Sequence, residues 1–474
     1  MTKSQRRSGT RPVEEFYIHD LYGSRNVRIR FRESQLILVG ENGRGKTTIL
    51  SIFYYTITKQ WHKLSNFHFS RIELKFRGRS PIVIHKERMF TDSDSEGPYD
   101  SFIHEIMNSG RYEGSTFESN VIAARDISGE SGIPLTYVRD YLQRRRSTLN
   151  KSVVSDINRL IDESIDCQIV YMPTYRRIEQ DIRLIFPEMS HSFSDIIQRR
   201  SPQSKNYIEF VEFGMSDVKS LLEVHSNRLG ASLTEKLINL SRNYLTDIMS
   251  RNYLDITYDK NLFPMYVKML QDMNEHVKGF VDISQIESIM SNLKSRKKLD
   301  DHEKIVMSFV SRLVDVFLQQ SREAGPIYQF AELINSYFID KFVLYNPSNY
   351  TVKFYHRKPY LPNENSMFFV SDSLVELYNK EDEIDLKDLS SGEKQIVSLF
   401  SHIYLSDRKR MFLIIDEPEL SLSLPWQKKL LVDVSESGRV EGLFAVTHSP
   451  FIFDNKMDVY SHDMAEFEES NVVS

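Results

Sequence analysis

Short β-prone runs of aliphatic and aromatic residues, broken by polar ones, open the chain. Glu15-Phe16-Tyr17-Ile18, Val27-Arg28-Ile29-Arg30-Phe31 and Leu36-Ile37-Leu38-Val39 predict strands, with a Tyr22-Gly23-Ser24-Arg25-Asn26 turn between the first two. Residues 47–59 predict a helix. Ile72-Glu73-Leu74-Lys75-Phe76 and Ile82-Val83-Ile84 predict a hairpin linked through Arg77-Gly78-Arg79-Ser80-Pro81. Residues 91–98 form a polar loop, residues 100–165 are mixed and mostly helical, and Ile169-Val170-Tyr171-Met172 is a strand stopped by Pro173. From about Asn206 to Phe342 the period changes. Helical stretches at 216–251, 264–280 and 284–322 place apolar residues at three- and four-residue spacing, as in Ile305, Phe309, Leu313, Phe317 and in Val306, Val310, Val314. A bundle packed on itself and an extended helical hairpin both satisfy that pattern. Strand-like sequence returns at 350–356, and helix and strand alternate from there to Phe453. The outline is an α/β core split by a helical insertion, with residues 13–205 and 343–474 as the two parts of the core and 206–342 as the insertion.

Composition narrows the class. Of 474 residues 40% are hydrophobic, which is ample for a large core, and 61 basic against 66 acidic residues give no overall drive toward nucleic acid. The single cysteine, Cys167, excludes a disulfide framework and an all-cysteine metal site. No apolar run reaches the roughly 18 residues of a membrane helix, and the opening MTKSQRRSGTRP lacks the apolar stretch of a signal peptide, so a cytoplasmic protein with no membrane partner is expected.

The chemistry starts at Gly40-Glu41-Asn42-Gly43-Arg44-Gly45-Lys46-Thr47, which fits G-x-x-x-x-G-K-[ST] between a predicted strand and a predicted helix. Glycines let backbone N–H groups approach phosphates, the lysine reaches the β- and γ-phosphates, and the threonine hydroxyl ligates Mg²⁺. ATP and Mg²⁺ are the expected ligands, with Thr48 at the edge of the same loop. Met411-Phe412-Leu413-Ile414-Ile415 reads as a buried strand ending in Asp416-Glu417-Pro418. Beside a P-loop the first carboxylate belongs near the metal and the second can orient an attacking water. Leu389-Ser390-Ser391-Gly392-Glu393-Lys394-Gln395 opens another helix, and Phe444-Ala445-Val446-Thr447-His448-Ser449-Pro450 sets a histidine just past a strand.

Together these motifs resemble those of ABC-type ATPases, in particular the SMC-like and OLD-like branch. GENGRGKTT resembles its Walker A, LSSGEKQ its signature, FLIIDEPELSLSLP its Walker B and D-loop, and AVTHSP its switch histidine. Ser391 and Glu393 stand where transporter signatures usually carry Gly and Gln, which suits the SMC-like branch. The resemblance implies an ABC-type head split by a coiled-coil-like insertion. It also implies a homo-oligomer of head-to-head pairs, a hexamer being one such assembly. ATP at Lys46 and Thr47 of one copy would be closed over by Ser390, Ser391, Gly392 and Glu393 of another. Thr47 and Asp416 would hold the metal, Glu417 would polarise water and His448 would sense the γ-phosphate.

Tyr171-Met172-Pro173-Thr174-Tyr175-Arg176-Arg177-Ile178-Glu179 resembles a segment of bacterial anti-phage defence ATPases, those of the PARIS and Septu systems. That likeness implies a subunit that holds and releases a separate nuclease, toprim-type in PARIS and HNH-type in Septu, on meeting an acidic phage trigger such as a DNA mimic. No nuclease motif is visible in the chain itself. The rival class is a DNA-repair ATPase acting directly on DNA through Arg139, Arg144-Arg145-Arg146, Arg199-Arg200, Arg296-Lys297-Lys298 or Arg408-Lys409-Arg410. The same basic clusters suit an acidic protein trigger, because both ligands present spaced negative charge. The long insertion disfavours a transporter ATPase.

Overall fold

A computed structural model describes residues 12–41, 43–91, 99, 133–134, 148–173, 207–209, 215–251, 265–266, 284, 286, 288, 300–346, 349–357, 382–407 and 410–469. Asn42, residues 174–179, the helix expected at 264–280 beyond Met265 and Tyr266, and every basic cluster except Arg410 lie outside these residues. The chain divides into two compact units. One takes Met1–Val211, Arg410–Leu420 and Gln427–Ser474, and the other takes Glu212–Lys409 with Ser421–Trp426. The signature segment therefore belongs with the long helices, while the P-loop and both later strand ends belong together.

The first unit holds two sheets. Strands β1 (Val13–Leu21), β2 (Arg25–Arg30), β4 (Arg71–Phe76), β5 (Ile82–His85) and β14 (Glu468–Glu469) form an antiparallel sheet in the order β14-β2-β1-β4-β5. Burial alternates along β2, β4 and β5, with Ile29, Ile72 and Leu74 turned inward, and β1 adds Phe16 and Ile18 to the same core. That alternation is the period-2 signature of a sheet covered on one face. Strands β3 (Gln35–Val39), β6 (Gln168–Met172), β7 (Tyr207–Glu209), β11 (Met411–Asp416), β12 (Val440–Thr447) and β13 (Ser461–Asp463) form a second, parallel sheet in the order β13-β3-β12-β11-β6-β7. Its central strands are continuous apolar runs, and β11 is buried along its whole length, as a sheet covered on both faces requires. Helix α1 (Lys46–Ile57) buries Ile49, Leu50, Ile52, Phe53 and Ile57 in the same core. Its Phe53 ring makes edge contacts with Phe16 and Phe444, centroids 5.1 and 5.3 Å apart, joining the two sheets through one aromatic cluster. Helix α2 (Lys151–Asp162) adds Ile157 and Ile161.

The second unit is built on helices α3 (Met215–Ser250) and α4 (Asp301–Asn335). Asp300 caps α4 through a reciprocal box with Glu303. The helices run antiparallel: Asp247 pairs with Arg312, Lys236 with Glu323 at 2.7 Å, and Gln320 Nε2 donates to Leu229 O at 2.9 Å. Val218, Leu222, His225, Leu229, Leu233, Leu237 and Leu240 form the buried stripe of α3, at the three- and four-residue spacing of an amphipathic helix. Strands β8 (Lys341–Asn346), β9 (Thr351–His356) and β10 (Glu383–Ile384) make a small antiparallel sheet beside them. β8 is a strand that the helical pattern running to Phe342 conceals. Helix α5 (Ser391–Leu405) packs against both long helices, and α6 (Leu424–Glu436) follows β11 in sequence. Among the described residues no helix is long and apolar enough to cross a membrane.

Candidate nucleotide site

Parallel pairing brings three chain ends to one edge. Val39 lies beside Thr447, and Asp416 beside Val446, so β3, β12 and β11 finish at the same level with β12 between the other two. Ligands of open α/β sheets bind beyond such C-terminal strand ends. Here β3 leads into the glycine loop, β11 into Asp416-Glu417 and β12 into His448.

The loop from Gly40 to Gly45 wraps the N-terminus of α1. Gly43 and Gly45 have φ of 83° and 85°, a left-handed backbone that side chains rarely adopt. A Cβ on Gly40 would lie 3.3 Å from that of Met464. Glu41 and Arg44 form a loose exposed pair at 3.7 Å, and Arg25 donates to the Arg44 carbonyl at 3.1 Å, anchoring the loop to β2. Lys46 is only 3% exposed. Its ammonium donates to the Gly40 and Glu41 carbonyls at 2.7 and 2.8 Å and lies 3.3 Å from His448 Nδ1. Burial lowers the Lys46 pKa, opposed by the charges of Glu417, Asp416, Glu419 and Asp463. Thr47 is exposed, and Thr48, one residue further into α1, is half-buried.

Thr47 Oγ1 stands 3.2 Å from Asp416 Oδ1. Cis ligands of an octahedral Mg²⁺ with bonds of about 2.1 Å are about 3 Å apart, so a hydroxyl and a buried carboxylate at this separation fit that ion. The glycine loop and the first N–H groups of α1 likewise fit a polyphosphate, and among the described loop residues the acidic Glu41 is the only carboxylate.

Glu417 takes φ 52° directly after β11, and its N–H donates to Val446 O at 2.8 Å. This left-handed turn directs its carboxylate to His448 Nε2, 3.8 Å away. An ammonium has no lone pair, so in a Lys46–His448 hydrogen bond Nδ1 is the acceptor, and Nε2 is the nitrogen that faces Glu417. One histidine thus spans the lysine and the second carboxylate.

Sequence reasoning missed Glu419. Its Oε1 accepts from His448 N and Ser449 N at 2.7 and 3.1 Å. Nothing in the spacing marks this residue, because its partners are backbone groups some thirty positions downstream.

The signature segment is built differently, in the second unit. Ser390 caps α5, its hydroxyl accepting from Glu393 N while Glu393 Oε2 accepts from Ser390 N at 2.7 Å. Glu393 Oε1 also pairs with Lys341 at 2.7 Å, so both carboxylate oxygens are engaged within the unit. Burial alone would lower the Lys341 pKa, but the bond to Glu393 and its charge leave it raised. Ser391 is exposed at the first turn of α5 and Gly392 is buried. A Cβ on Gly392 would fall 2.5 Å from the Ser421 carbonyl oxygen, so only glycine permits this approach.

A family model described as "AAA domain, putative AbiEii toxin, Type IV TA system" matches residues 281–454, which include α5, β11 and His448 but not the P-loop. No curated protein matches the chain. Among solved structures, the Smc head domain with an extended coiled coil bound to the C-terminal domain of ScpA, from Pyrococcus furiosus, is similar at 12% identity and TM-score 0.35, over 93% of this chain and 91% of that one. The Smc head domain with a coiled coil and joint from Pyrococcus yayanosii is similar at 13% identity and TM-score 0.29, over 93% of both chains. The parallel sheet, the P-loop and the carboxylate-ended strand define a P-loop ATPase.

Proposed function

We propose that this chain hydrolyses ATP at sites shared between two copies and works as the sensor ATPase of a bacterial anti-phage defence system. The observation that carries the hydrolytic half is His448, set 3.3 Å from Lys46 and 3.8 Å from Glu417 beside the Thr47–Asp416 oxygen pair. Lys46 and the loop N–H groups would hold the phosphates, and Thr47 with Asp416 would hold Mg²⁺, which when bound neutralises charge on the phosphate oxygens. Glu417 would accept a proton from the attacking water, and His448 Nε2–H would orient that carboxylate. Exposed Ser391, at the positive end of a 15-residue helix, suits a phosphate carried by another copy.

The defence half rests on the PTYRRIE segment and on the toxin–antitoxin description of the matching family. In that reading the chain is an AriA-type subunit of PARIS. It is cytoplasmic, self-assembled, and holds an AriB-like toprim nuclease until an acidic phage protein reaches its basic clusters. The Septu arrangement, with an HNH nuclease, differs only in the effector. Direct action on DNA is the alternative that the same basic clusters support.

Glu417→Gln tests the hydrolytic reading. It should keep ATP binding and lower kcat by about 10²–10⁴-fold, the usual worth of a positioned base. A wild-type kcat would assign that role elsewhere.

A further inference from the structure

The turn after β11 holds a second glutamate to which the proposed hydrolysis assigns no step. Leu420 N donates to Glu417 O at 3.2 Å, closing a turn that starts at left-handed Glu417 and carries Glu419 over the end of β12. There Glu419 Oε1 takes two consecutive backbone N–H groups, those of His448 and Ser449. The same short segment is held from two other sides. Thr447 Oγ1 accepts from Ser449 N at 3.0 Å, and Ser449 Oγ donates to Gln427 Oε1 at 2.7 Å. Gln427 Nε2 returns to the Glu419 carbonyl at 3.4 Å, which closes a ring of hydrogen bonds around residue 448.

That ring fixes the backbone from which the imidazole projects. Hydrogen bonds from N–H groups to an ionised carboxylate are about twice as strong as neutral ones, so Glu419 is the strongest acceptor that these two N–H groups meet. Among the described residues Glu419 Oε2 is buried with no hydrogen-bond partner, so the hydrogen bonds this carboxylate accepts all come from this one segment. Fixing the backbone matters because His448 must meet Lys46 with one nitrogen and Glu417 with the other. A displacement of about 1 Å in such an array can cost on the order of 10²-fold in rate.

We infer that Glu419 is the positioning residue of the hydrolytic site, holding His448 between Lys46 and Glu417 through the two backbone N–H groups it accepts. This rests on the reading of Glu417 and His448 given above. Glu419 would also register the β11 turn against the β12 end, so that Glu417 and His448 move together.

The test compares Glu419→Met, close in shape but without an acceptor, with Glu419→Gln, which keeps one, in the full-length protein. Melting temperatures show that each variant is folded. Glu419→Met should lower kcat by on the order of 10–10²-fold while KM for ATP changes by less than about threefold, and Glu419→Gln should recover most of the loss. In a His448→Ala background, Glu419→Met should add less than about twofold, since residues acting through one group are not additive. A wild-type kcat for Glu419→Met, or a loss that multiplies undiminished onto His448→Ala, would overturn the inference. If Glu419→Met does not fold, the folded Glu419→Gln and Glu419→Asp pair decides it. A loss confined to Asp, whose shorter stem withdraws the acceptor, supports the role, and equal rates contradict it. Glu417→Gln run alongside separates the two readings. A wild-type kcat there contradicts the catalytic reading itself, whereas a slowed Glu417→Gln beside an unaffected Glu419→Met contradicts only the positioning role.

Discussion

Lys46 carries the most demanding surroundings of any residue at the site. It is buried, its ammonium is held by two carbonyls of its own loop, and acidic groups around it oppose the desolvation that lowers its pKa. A side chain so held is pre-aimed at the loop interior. Lys46→Ala should therefore weaken ATP binding by more than about tenfold, the worth of one charge-assisted hydrogen bond lost from a phosphate site. Calorimetric titration with ATP and Mg²⁺ checks this, and unchanged affinity would move the phosphate site elsewhere. Asp416 ends a strand, Glu417 and His448 directly follow strands, and Lys46 and Thr47 open the helix after the glycine loop, so the sequence marked them through strand ends that a parallel sheet brings together. Glu419 was not. Its contacts are to backbone N–H groups, which leave no pattern of side-chain types.

At the scale of elements, α5 shows how local chemistry fixes a helix start. Ser390 and Glu393 form a capping box, Lys341 fixes the outer carboxylate oxygen, and Gly392 admits the Ser421 carbonyl. The serine-glycine-glutamate run was legible both as a cap and as a signature, and the geometry supplies the cap in full while leaving Ser391 exposed. Gly392→Ala should force backbone apart at that contact and lower stability by about 1–3 kcal/mol, the usual cost of overpacking. A shift in the urea midpoint at unchanged slope reads it directly. Deeper in α5, His402 is 5% exposed, and burial pushes its pKa from the ordinary 6.5 down to about 4, against a bond to Ser398 O that favours the charged form. Between those two values the unfolded chain binds a proton that the native helix does not. Stability should thus fall as pH drops from 6.5 toward 4, by up to about 3 kcal/mol, and His402→Leu should flatten that slope. Denaturation midpoints at several pH values measure it. Strands β1 to β5 were legible as short β-prone runs, whereas β8 was hidden because Phe342-Val343-Leu344-Tyr345 continues the apolar density of α4 with no glycine or proline to punctuate it.

For the whole molecule, the described residues of the region expected to be a helical insertion contain an antiparallel pair, α3 against α4, whose buried stripes were visible as three- and four-residue spacing. Its tertiary partners were not visible, since periodicity reports which face is buried and not what buries it. The compact division places Ser391 with these helices and Lys46 with the two sheets, so the two halves of the proposed composite site are carried by different units of the chain. Each copy would then offer a P-loop to one neighbour and a signature to another, or both to a single partner in a two-fold pair.

Mixing two inactive variants tests that composite site most directly. Lys46→Ala removes the phosphate lysine, and Ser391→Arg blocks the exposed signature position without entering the core. Each variant alone should lack ATPase activity. Mixed in equal amounts and allowed to exchange, they should regain roughly a quarter of the wild-type rate, since one interface in four then joins an intact P-loop to an intact signature. A mixture no more active than its two components would contradict hydrolysis at sites shared between copies, and so would full activity in a strictly monomeric wild-type protein.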